Sequence, residues 1–113
     1  MSPLDGKTFR VASTAGNGVV DAGTRLQFIQ RGARVLARYA GGSICRGVLV
    51  GELSSGGLSF HFLQRESTGE LHGGGSTCEV SEMPDGRLRI IEHFAWRTRV
   101  GSGTNVFEEI RHE

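Results

Sequence analysis

Of the 113 residues in this sequence, Glu92 has the type and setting that most invite chemistry. It breaks an apolar series at period two, with Leu88 and Ile90 before it and Phe94 and Trp96 after it. On a strand these five side chains share one face, so the carboxylate stands among hydrocarbon and aromatic neighbours. A lone ionised carboxylate is expensive there, and pairing, hydrogen bonding or protonation must relieve the cost. The same alternation turns Tyr39, Arg46, Gln64 and Ser76 toward Glu92 as candidate partners. Two outcomes stay open. Glu92 with Arg46 or Tyr39 can form a satisfied polar plug in a filled interior. Alternatively these groups converge on a small, partly apolar ligand, with Phe28, Phe60, Phe62, Phe94 and Trp96 as walls. An unpaired Arg46 then favours an anionic ligand through a bidentate contact. A cofactorless isomerase, cyclase or dehydratase is the enzymatic alternative, with Glu92 as general acid or base and Tyr39 assisting. Tyr39 also fits a core ring whose hydroxyl reaches the rim, and Trp96 fits either an end plug or a stacking platform.

Other chemistries find less support. His61 and His93 fall on outward faces, His72 adjoins a glycine run and His112 sits in the tail. With no HxH, HxxxH or His/Cys cluster, no metal site is expected, and no cofactor. Cys45 and Cys78 lack CxxC spacing and read as buried thiols, a disulfide being the lesser alternative. No GxSxG elbow is present. Lys7 is the single lysine beside twelve arginines, and the net charge is only +1. The arginines are spread without an aromatic platform, so nucleic acid is not an expected partner. No apolar run approaches the roughly 18 residues of a membrane span. Met1–Lys7 has no apolar signal core, so a cytoplasmic location is expected.

The elements that must position Glu92 are short. Eighteen glycines cut the chain into pieces too brief for long helices, and apolar and polar residues alternate within them. Eight strands are predicted, at 6–13, 24–31, 34–41, 43–53, 57–66, 71–82, 87–98 and 104–111, in one all-β domain over residues 1–113. Hairpin-length connections imply an antiparallel meander. Rolling it into an eight-stranded up-and-down barrel removes both open edges; a two-sheet sandwich is the alternative. Gly47, Gly51 and Gly73 to Gly75 are the expected bends. Inward residues are Leu26, Phe28, Val35, Ala37, Tyr39, Ile44, Arg46, Val48, Val50, Leu58, Phe60, Phe62, Gln64, Ser76, Cys78 and Val80, with the Glu92 face of strand seven. Strand eight resists phasing. Ile29, Leu36, Leu49, Leu63, Ile91 and Ala95 then point outward, and covering them predicts a homodimer or tetramer.

Several stretches carry a family likeness: Gly6-Lys7-Thr8-Phe9, Tyr39-Ala40-Gly41-Gly42-Ser43-Ile44, Gly47-Val48-Leu49-Val50-Gly51, Pro84-Asp85-Gly86-Arg87-Leu88, Glu92-His93-Phe94-Ala95-Trp96 and the Glu108-Glu109 ending. In order and spacing the chain resembles a family of short bacterial proteins with an avidin-like, calycin-type (lipocalin-like) barrel, often labelled N-acetylglutamate synthase. The resemblance implies a small barrel that binds a small molecule. It does not imply the synthase, because acetyl transfer from coenzyme A calls for a glycine-rich loop opening a helix. No candidate helix follows Gly41-Gly42 or Gly73-Gly74-Gly75. The biotin pocket that avidin itself implies is walled by several tryptophans, and this sequence has only Trp96.

Overall fold

Period-two patterning over eight segments gives eight strands. A computed structural model describes residues 2–111. The strands are β1 (Thr8–Gly16), β2 (Arg25–Arg31), β3 (Arg34–Gly41), β4 (Ile44–Ser54), β5 (Gly57–Glu66), β6 (Leu71–Glu82), β7 (Leu88–Trp96) and β8 (Ser102–Ile110). Each pairs antiparallel with its neighbours, and β1 pairs with β8, closing the barrel in sequence order. The sandwich alternative is excluded. Strands β3, β5 and β6 have the predicted bounds, while β1 starts two residues later than predicted and runs three further.

Alternation sets the faces of β2, β3, β5, β6 and β7 as the sequence predicts. Leu26, Phe28, Val35, Ala37, Tyr39, Leu58, Phe60 and Ile90 are buried. On β4 the prediction inverts. The register shifts between Ile44 and Arg46, so two residues of β4 meet one step of β5, and the bulge flips every later side chain. Arg46, Val48 and Val50 therefore point outward, and Leu49 is buried at 1% exposure. Cys45 is exposed because it follows inward-facing Ile44, so the reading of both cysteines as buried thiols holds for Cys78 alone; both are free thiols.

The glycines do more than bend strands. Four lumen rings stand directly across a ladder from a glycine: Tyr39 from Gly47, Phe60 from Gly51, Phe62 from Gly74 and Phe94 from Gly103. A Cβ at Gly47 would enter the Tyr39 ring, and one at Gly103 would lie 2.7 Å from Phe94 Cζ. A narrow barrel can hold this many rings because the facing position has no side chain.

One end is packed shut. The segment before β1 inserts Leu4, fully buried, and the Leu4 amide donates to Gln30 Oε1 at 3.0 Å. Phe9 and Phe28 meet edge-to-face there, 5.2 Å apart. The Glu109 carboxylate accepts from the Leu88 amide at 2.9 Å and from Lys7 Nζ at 3.1 Å, which holds it below the usual carboxylate range despite burial. The other end carries the turns after β1, β3, β5 and β7. Here β1 and β2 separate: their register covers only three pairs, ending at Arg10 with Arg25. The upper part of β1 pairs with β8 alone, and residues 17–24 bridge the resulting gap.

Candidate functional site

Beneath that bridge lies a small internal cavity. Its wall includes Tyr39, Phe60, Phe62, Gln64, Glu92, Phe94 and Trp96, all expected from the sequence, together with Asn105 and the Gly18–Val20 segment. Three expected residues are placed elsewhere. Phe28 belongs to the packed end against Phe9. Arg46 is on the outer surface because of the β4 bulge. Ser76 stands behind Glu92 rather than on the cavity wall.

Glu92 is 5% exposed and forms no ion pair among the described residues. The Ser76 hydroxyl donates to Oε2 at 2.6 Å and the Asn105 amide donates to Oε1 at 2.9 Å. Thr14 donates in turn to Asn105 Oδ1 at 2.6 Å, which fixes the amide with its NH2 toward Glu92. Burial pushes the Glu92 carboxyl above its ordinary pKa, and the two hydrogen bonds only partly oppose that. Cys78 faces Glu92 across the ladder, and burial raises its thiol pKa too. The polar plug with Arg46 or Tyr39 is therefore not the arrangement present.

A second chain runs from lumen to mouth. Tyr39 donates to Gln64 Oε1 at 2.9 Å, Gln64 Nε2 donates to Glu66 Oε2 at 2.8 Å, and Arg99 donates to Glu66 Oε1 at 2.7 Å. Burial, with the negative charges of Glu92 and Glu66, lifts the Tyr39 hydroxyl far above its ordinary range, so it stays protonated. Hydrogen bonds from Arg99 and Gln64 pull Glu66 below the usual carboxylate range against its burial. The Arg99 guanidinium also lies 4.5 Å over the Trp96 ring. Trp96 meets Phe62 and Phe94 edge-on, at 5.3 and 5.8 Å.

The bridge is held at its ends. Trp96 Nε1 donates to the Asn17 carbonyl at 3.0 Å, and the Asn17 amide donates to the Ser102 carbonyl at 3.1 Å. Thr24 and Asp21 close a tight turn at the far end. Between them, Gly18, Val19 and Val20 make no hydrogen bond to another described residue, and the two valines pack against the core. Gly18 sits so close to Thr14 and Asn105 that a Cβ would strike the Thr14 hydroxyl. The cavity left below measures about 30 Å³, room for roughly one or two waters. Pockets for organic ligands run to about 300 Å³ and more.

Sequence reasoning missed Asn105, Thr14, Glu66, Arg99 and the Val19–Val20 cover. Asn105 was hidden by the unphased strand, and Glu66 follows Gln64 at the period that placed Gln64 inside. Residues 19 and 20 carry no strand pattern that would turn them inward.

Glu66, Glu70 and His72 present ligand atoms close together at the mouth. Arg99 already occupies Glu66, so this group is a solvated ion-pair cluster. Comparison with curated proteins and with solved structures gives no significant match. A family model described as avidin-like protein matches residues 2–110. With a closed eight-stranded barrel and a lumen site, the chain belongs to the avidin-like family.

Proposed function

We propose that this protein binds a small organic molecule in its lumen, beside Glu92 and under the 17–24 bridge. The observation that carries the reading is a nearly buried carboxylate, hydrogen-bonded yet without an ion-pair partner among the described residues, on the wall of a cavity lined by aromatic rings. The family match supports small-molecule binding in general. Because the cavity is far smaller than a ligand, binding requires Val19 and Val20 to leave the mouth, a step that breaks their apolar contacts with the core but no hydrogen bond to another described residue. An acid–base reaction is less well supported, since the Tyr39 hydroxyl is committed to Gln64 rather than to Glu92. A thermal-shift screen against a metabolite panel tests the reading. A ligand taken up only by the folded barrel raises the melting temperature by mass action; silence across a broad panel contradicts it.

The outer wall favours self-association. Ile29 pairs with Leu36, Leu36 with Val50, and Val48 with Leu63, giving one apolar area across β2–β5. Val50 and Leu63 are at least half exposed. Ile29, Leu36 and Leu63 point outward as the sequence predicts, whereas Leu49 is inside and Val48 and Val50 take its place. A second copy laid on this face buries the patch in an isologous dimer. Val50→Asp is expected to convert the dimer to monomer in sedimentation at micromolar concentration. A wild-type monomer would contradict the assembly.

A further inference from the structure

We propose, resting on the lumen-binding reading, that the ligand is an organic cation: an ammonium or amidinium group on an apolar or aromatic body. The lumen is short of free donors. Each lumen hydroxyl is already spent, Ser76 on Glu92, Tyr39 on Gln64 and Thr14 on Asn105. The amides of Gln64 and Asn105 each donate one hydrogen to a carboxylate, leaving one apiece. No described Lys or Arg reaches Glu92, and Arg46, the one cation the sequence assigned to the interior, lies outside. An anion entering this space would meet a carboxylate, two weak donors and no positive charge.

What remains unspent is acceptors and π faces. Each Glu92 oxygen accepts one hydrogen bond and keeps further capacity. The Tyr39 oxygen donates its proton away and stays open as an acceptor. Phe60, Phe62, Phe94 and Trp96 line the same cavity. A carboxylate enclosed by aromatic rings is the chemistry that recognises an ammonium group, through a charge-assisted hydrogen bond and cation–π attraction together. The molecule already shows this affinity at its rim, where Arg99 rests over Trp96. Arg99 is neutralised by Glu66, so it does not repel an entering cation.

Benzylammonium, benzyl alcohol and benzoate keep one aromatic body while changing the charge. Measured by calorimetry on the wild-type protein near neutral pH, benzylammonium is expected to bind at least tenfold tighter than benzyl alcohol, and benzoate not at all. Glu92→Gln keeps the size and the bond accepted from Asn105, reverses the Ser76 bond so that the new amide donates to its hydroxyl oxygen, and is expected to remove the preference for benzylammonium over the alcohol. Benzoate or benzyl alcohol binding in the lumen as tightly as benzylammonium overturns the inference and leaves the lumen-binding reading standing. So does a preference that survives Glu92→Gln. Absence of binding by all three, at concentrations that saturate ordinary weak sites, overturns the cation inference and the lumen reading together.

Discussion

Gly47→Ala is expected to lower stability by several kcal/mol, whereas Gly75→Ala should be neutral or slightly stabilising. Both glycines sit in strands of the same barrel, and only their facing neighbours differ. A Cβ at Gly47 lands within the Tyr39 ring, which must swing away from its place. Overpacking of this kind costs about 1–3 kcal/mol. The moving ring also takes its hydroxyl from Gln64 Oε1, and a buried carbonyl left without a donor adds about 1–3 kcal/mol. At Gly75 the nearest atom to a Cβ is 3.5 Å away, an ordinary contact. There the substitution mainly restricts the unfolded chain, a gain of about 0.4–1 kcal/mol. Thermal unfolding of both variants checks the contrast. Equal melting temperatures would contradict the view that glycines make room for the lumen rings.

Val19→Ala with Val20→Ala is expected to move stability and affinity in opposite directions. Both side chains are partly buried against the core, so truncation should cost about 1 kcal/mol each. If they occupy the ligand's space, the same truncation raises benzylammonium affinity, because less apolar contact must be broken before the bound form is reached. An apparent affinity is reduced by the fraction of molecules that are closed, and destabilising the closed form removes that reduction. A purely structural plug predicts that stability and affinity fall together. Calorimetric titration beside thermal unfolding separates the two.

How much of this was legible in the sequence depends on one assumption, an unbroken alternation. Where it holds, as on β5 and β7, Leu58, Phe60, Phe62 and Gln64 and the whole Glu92 face point inward as predicted. Where a bulge intervenes, side chains beyond it take the opposite face, and nothing in the residues 44–46 marks the extra step. That one bulge removed the basis for expecting an anionic ligand, because it moved Arg46 from lumen to surface. On β1 a second bulge between Val11 and Ser13 lets Thr14 reach Asn105, a contact between residues 91 positions apart that local patterning does not encode. The barrel's closure was inferable from edge avoidance and hairpin spacing. Its near-filled interior was not, since the volume of a lumen depends on how rings from different strands share it. The glycines illustrate the same limit: their number was visible, but their use as spaces for rings depends on cross-strand register.

The structure of the protein in complex with benzylammonium tests the central claim most directly. The account predicts the amine nitrogen about 2.8 Å from a Glu92 carboxylate oxygen, the aromatic ring among Phe62, Phe94 and Trp96, and Val19 and Val20 displaced from the mouth. A lumen still closed by the two valines, with the amine bound only on the outer wall, would contradict it.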